Sequence, residues 1–105
     1  MTPAAVKKVA LAIPGLEEST SYGTVAFKWK KKLVARIHQD GESVVVAVHP
    51  LERDLLLAAD PAVFFLTDHY RDYPWVLIRL ATVRPAQIKK ALEEATAFVR
   101  GGKGR

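Results

Sequence analysis

Few side chains in this sequence are of types that do chemistry, and their spacing excludes most reactions. The histidines are His38, His49 and His69, 11 and 20 positions apart. That spacing matches no helical metal pair, so lone polar histidines are the simpler reading. Cysteine is absent, which removes disulfides, thiolate metal sites and thiol nucleophiles together and suits a reducing compartment. Ser19, Ser21 and Ser43 fall in loops or strand starts, outside any nucleophile elbow. No phosphate-cradling loop or dinucleotide fingerprint occurs. Glu17-Glu18 and Glu93-Glu94 are adjacent pairs, and adjacent residues do not share a helix face, so neither reads as an acid/base dyad. Lys89, Lys90, Glu93 and Glu94 read as a solvated helix face. No catalytic residue, metal site or cofactor is expected, and the chain reads as a binding module rather than an enzyme.

Charge supplies the positive clue. The net charge is +5, from 16 basic and 11 acidic residues. Lys28, Lys30, Lys31, Lys32 and Arg36 fall within one stretch that holds no acid, and the rest of the chain balances. A clustered positive patch attracts polyanions such as nucleic acid or an anionic membrane surface. The plainer alternative is that lysines at a hairpin tip keep a sheet edge soluble. Both readings stand at this point.

The stretch Asp68-His69-Tyr70-Arg71-Asp72-Tyr73-Pro74-Trp75 is the other candidate. His69, Tyr70 and Arg71 offer ring stacking and phosphate contact, or are simply solvated. Tyr73 and Trp75 read as anchors of the loop to the core. A small-ligand cleft near His69 and Trp75 is a further reading, although no residue set there supports a reaction class.

These residues need elements to position them. Thr2 before Pro3 predicts an N-cap and a helix over 3–12, stopped by Pro14-Gly15. A short strand is expected near Thr20–Tyr22. Val25, Phe27 and Trp29 alternate with polar positions, as do Leu33, Ala35 and Ile37, a half-buried strand pattern. Keeping one apolar face requires a three-residue loop, Lys30-Lys31-Lys32, that pairs Trp29 with Leu33, Phe27 with Ala35 and Val25 with Ile37. Such loops favour glycine in the left-handed position, and none is present. A loop at Gln39-Asp40-Gly41-Glu42 then pairs Ile37 with Val44 and Ala35 with Val46. The opposite face, with Lys28, Val34, Arg36 and Val45, is mixed and open to partial covering.

Pro50 opens a second helix with Leu51, Leu55, Leu56 and Ala59 as its apolar stripe. Val63–Leu66 is a short buried segment and Trp75–Leu80 a strong strand. Pro85 starts a last helix whose Ile88, Ala91, Leu92, Ala95 and Val99 form a core-facing stripe, capped at Gly101. The expected fold class is α+β, a two-layer sandwich: a β-meander with one or two further antiparallel strands, and three helices on one face. Residues 1–100 read as one domain and 101–105 as a flexible basic tail. The N-terminus does not read as a signal peptide and no apolar run could span a membrane, so a cytoplasmic location is expected.

The order of motifs resembles the MmcQ/YjbR family. The matching stretches are Leu11–Gly15, Ser21–Lys28 and Lys32–Arg36, then Ala58–Phe65, His69-Tyr70 and Tyr73–Leu80. The resemblance spans nearly the whole chain. It implies a double-wing fold and a DNA-binding label that rests on fold analogy; it brings no catalytic motif. One departure is the tip Lys30-Lys31-Lys32, where the family pattern leads one to expect a glycine-bearing turn such as Gly-Gly-Lys. The resulting expectation is duplex DNA as partner. Lys28, Lys30, Lys31, Lys32 and Arg36 would contact phosphates with Arg71 and Arg79 as auxiliaries, and His69 and Tyr70 complete the expected nucleic-acid-binding set. Five contacts imply a log–log salt slope of about −4 to −5. A protein- or peptide-interaction module is the alternative, in a monomer or weak dimer.

Overall fold

The computed structural model describes residues 1–101, and the expectation of a flexible basic tail lies mostly outside them. Helix α1 spans Pro3–Leu11, with Thr2 Oγ1 accepting from the Ala5 N–H at 3.1 Å and Pro3 in the first turn. Gly15 ends the approach to the sheet at φ +91°, and a Cβ there would lie 2.9 Å from the Trp29 ring. Both constraints require glycine.

Six strands follow the order β1-β2-β3-β4-β6-β5, every neighbour antiparallel. They are β1 (Leu16–Ser21), β2 (Thr24–Trp29), β3 (Lys32–Ile37), β4 (Ser43–Ala47), β5 (Phe64–Phe65) and β6 (Trp75–Arg79). Strand β1 is longer than the expected Thr20–Tyr22. Only Leu16 in it is buried, because it is a polar edge strand that leaves no apolar alternation to read.

The β2–β3 turn differs from expectation. It is a two-residue turn, Lys30-Lys31, with φ of +47° and +71°, and it pairs Trp29 with Lys32 and Lys28 with Leu33. Phe27 still pairs with Ala35, because Val34 is an extra residue in β3, a β-bulge. The bulge sends Val34 into the main core beside Ala35 and turns Leu33 to the opposite face. Tight turn and single apolar face are thus reconciled by a device that alternation alone does not reveal. Val25, expected on the core face, is 36% exposed on the second strand from the edge. The β3–β4 register agrees with expectation: Ile37 opposite Val44 and Ala35 opposite Val46.

Helix α3 (Pro85–Val99) lies across β3 and β4 and packs on α1. Its Ile88, Leu92 and Ala95 are buried, with Ala91 and Val99 packed against them. Gly101, at φ +82°, donates to the Phe98 carbonyl as the cap. Helix α2 (Pro50–Ala59) is a correction: no residue in it is fully buried, and Leu51 and Leu55 are 71% and 65% exposed. It packs beside β5 and β6 through Leu56 and Leu57, so the apolar stripe is rotated away from Leu51 and Leu55.

The sheet has two unequal cores. The face under α1 and α3 carries the large one. On the other face, Val45 and Leu77 are covered by Tyr70, with Phe65, Leu66 and Trp75 around them. The cover is the irregular segment between β5 and β6, which includes a 3-10 turn at Asp68–Tyr70.

Candidate functional site

The basic hairpin and the covered second face meet at β3. At the hairpin tip, the turn fixes Lys30 and Lys31 in left-handed conformations and all of Lys30, Lys31 and Lys32 are exposed. Among the described residues, none of the three has a carboxylate within ion-pair distance. The Lys30 ammonium lies 4.9 Å from the centroid of the Trp29 ring, and the Arg100 guanidinium lies 5.7 Å from the same ring. Arg100, at the end of α3, therefore shares the ring that Lys30 uses. Sequence reasoning missed it, because an isolated basic residue at a helix end carries no signal of which strand it will meet. Lys28 is half-buried and sits opposite Glu17 in the β1–β2 register.

Arg36 does not belong to this exposed set. It is 4% exposed, under the Tyr70 cover. Its Nη2 donates to the Tyr70 hydroxyl at 2.5 Å and to Gln39 Oε1 at 3.5 Å, and its Nη1 to Thr24 Oγ1 at 3.3 Å and to the Ile37 carbonyl at 3.4 Å. Every acceptor is neutral. The Tyr22 ring lies 5.1 Å from the guanidinium carbon. Tyr22 is 79% exposed and left-handed, at φ +54°, in the turn with Gly23 that joins β1 to β2. Only that strained turn brings its ring back over β3, so its place could not be read from residue type.

Between this face and the 66–75 segment lies an open cleft of about 600 Å³. Arg36, His38 and His69 supply its cationic or titratable groups, and Tyr22, Tyr70, Tyr73 and Trp75 supply rings. Leu33 and Val45 form an apolar floor, and among the described residues no carboxylate lines it. The His69 ring stands edge-on to Tyr70 at 4.7 Å between centroids. Arg71 is exposed but paired with Asp68 at 2.7 Å. Trp75 anchors the loop as expected, half-buried against both cores, whereas Tyr73 is 57% exposed at the cleft wall. Arg79 lies at the far end: it pairs with Ser43 beside the β3–β4 turn, away from the lysine tip, and stacks on Phe65 at 4.1 Å. The nine residues singled out in the sequence thus divide among a hairpin tip, a cleft and the opposite sheet end.

Asp40 holds the β3–β4 turn. Burial would raise its pKa, but the Glu42 N–H, the His38 charge and the hydrogen bonds from Ser43 and His38 together lower it below the ordinary 3.8. Among the described residues, no group of His, Asp and Glu could hold a metal ion, and no helix is long and apolar enough to cross a membrane.

The YjbR family model matches residues 11–95, most of the chain. The chain belongs to the YjbR family. Its fold is shared by Deinococcus radiodurans protein DR2400, a protein with a DUF419 domain. The TM-score is 0.77 at 24% identity, over 99% of this chain and 81% of that one. No curated protein matches the chain. The YjbR match takes in both the lysine hairpin and the cleft.

Proposed function

We propose that this YjbR-family protein binds nucleic acid, duplex DNA in particular, through the β2–β3 hairpin, with no catalytic step. One observation carries the reading: Lys30 and Lys31 occupy left-handed positions where asparagine and glycine are the favoured residues. A lysine in that conformation is strained, and strain of this kind collects at functional sites. Solubility alone would be met by lysines on either side of a glycine turn. Lys32 continues the exposed charge, Lys28 extends it along β2, and Arg100 adds a cation beside Trp29. With Arg36 withdrawn into the cleft and Arg100 added, about five phosphate contacts remain, which keeps the log–log salt slope near −4 to −5. Such binding neutralises backbone charge and reads little sequence.

The test is fluorescence anisotropy of a labelled duplex across a salt series. The Lys30→Glu/Lys31→Glu/Lys32→Glu variant is expected to lose affinity equally for unrelated sequences, with a slope shallower by about 3. Unchanged affinity in that variant would remove the hairpin from the interface.

A second reading has its own support, in Leu51 and Leu55, one helical turn apart and exposed on α2. There the protein would dock a partner protein through α2. A complex that survives high salt and nuclease and is lost in Leu51→Glu/Leu55→Glu would favour it.

A further inference from the structure

We propose that the cleft between the β3–β4 face and the 66–75 segment binds a small planar molecule carrying one anionic group, a carboxylate or a phosphate, with the anion held by Arg36. The inference is independent of the hairpin reading and uses other residues.

A guanidinium stays protonated in proteins, and burying a charge without an opposite one is costly. Arg36 is 4% exposed, yet its four hydrogen-bond acceptors are two side-chain hydroxyls, an amide oxygen and a main-chain carbonyl. Only the bond to Tyr70 is short. The other three, at 3.3, 3.4 and 3.5 Å, are at the outer limit of useful geometry. Gln39 is exposed and free to turn away. A carboxylate or phosphate oxygen entering the cleft would replace the weak contacts with charge-assisted bonds, the bidentate geometry that guanidinium favours.

The walls indicate the rest of the ligand. The Tyr22 ring faces the guanidinium, and Tyr73 and Trp75 line the same cleft, over a floor of Leu33 and Val45. Aromatic walls suit a planar ring, and a volume of about 600 Å³ lies in the usual range for small-molecule sites. The absence of any lining carboxylate leaves the cleft's field positive, so a cation is disfavoured. His38, on the cleft lining, has Asp40 as its partner at 3.3 Å. Free aromatic carboxylates and mononucleotides share the chemistry required.

The experiment is an NMR titration of the full chain, read at the Trp75 indole N–H and the Thr67 and Tyr70 amides. Four probes are used: 1-naphthoate, the neutral 1-naphthalenemethanol, acetate and adenosine 5′-monophosphate. Saturable shifts at the cleft are expected below about 1 mM for 1-naphthoate or the nucleotide, with the alcohol and acetate at least about tenfold weaker. The tighter of the two anions identifies the carboxylate or the phosphate source. Arg36→Met is expected to abolish the shifts, and Arg36→Lys to weaken them. Tyr22→Ala, at an exposed wall position that the fold does not need, is expected to weaken them as well, and it serves if Arg36→Met does not fold. The Lys30→Glu/Lys31→Glu/Lys32→Glu variant should bind 1-naphthoate as the parent does, which separates this site from the hairpin. Equal binding of the alcohol, shifts centred on Leu51 and Leu55, or no cleft shift with any probe would each overturn the proposal.

Discussion

Lys30 and Lys31 hold a backbone conformation that their own side chains disfavour, and that tension can be measured. Left-handed φ brings Cβ against the following carbonyl, a cost of roughly 1 kcal/mol for each non-glycine residue. Lys30→Asn/Lys31→Gly gives the turn the residues it favours and removes two charges. The variant is expected to be more stable by about 1 kcal/mol, a rise of some 4–8 °C in a domain of this size, while binding duplex DNA more weakly. Thermal unfolding and anisotropy on the same sample check both halves. A destabilised variant would mean that the lysine side chains support the turn rather than strain it. Arg36 teaches the opposite lesson about reading residues. Alternation put it on the outer face correctly with Lys28, although Val34, expected on that same face, turns into the main core. Nothing in its spacing could say that Tyr70, far along the chain, would lie over it and take it out of solvent.

At the scale of elements, legibility followed the strength of the period. Helix α3 was readable because its apolar positions repeat at helical spacing, and the β3–β4 register because Ile37 and Ala35 meet Val44 and Val46 beyond the bulge. The β2–β3 register failed by one bulge, since a period of two cannot encode an extra residue. Strand β1 was half seen because an edge strand needs no apolar face. Helix α2 was seen, but its burial was not: the stripe through Leu51 and Leu55 assumes a sheet behind it, and the helix sits at the sheet's margin. The β3–β4 turn carries its own prediction. The Asp40 carboxylate accepts from the Glu42 and Ser43 N–H groups at 2.8 and 3.1 Å, and its pKa is lowered in the fold. A lowered folded-state value means stability present above the ordinary 3.8 and lost as pH falls through the folded value. Asp40→Asn keeps an acceptor for the N–H groups but has no proton to gain. Denaturant midpoints measured from about pH 5 downward should fall less steeply below 3.8 in the variant than in the parent. Parallel curves would remove Asp40 from the acid response.

The whole molecule is a sheet with one face sealed by helices and the other covered by an irregular segment, and the two covers are not equally firm. Helices α1 and α3 bury a continuous core, whereas the 66–75 segment contributes Tyr70, Trp75 and little else. Besides the Arg36 bond to the Tyr70 hydroxyl and the Val48 N–H donated to the Pro74 carbonyl at 3.0 Å, Arg53 on α2 ties the segment down. Its guanidinium donates to the carbonyls of Tyr73 at 2.6 Å, Arg71 at 3.2 Å and Trp75 at 3.5 Å, while its Nε is buried with no partner among the described residues. One long side chain thus helps to fix the wall of the cleft from outside the cleft. Arg53→Met keeps the stem's packing and removes those bonds, which at a partly solvated site should cost about 1–2 kcal/mol. The loss should be local. Hydrogen exchange at the amides of Tyr73 and Trp75 should quicken by about tenfold or more, because both donate across short turns inside the segment. The amides of Ile88 and Leu92 in α3 should exchange at nearly the parent rate, since they open only with the whole fold. If exchange instead quickens uniformly, the segment and the main core unfold as one unit. The cleft would then be as rigid as the sheet beneath it.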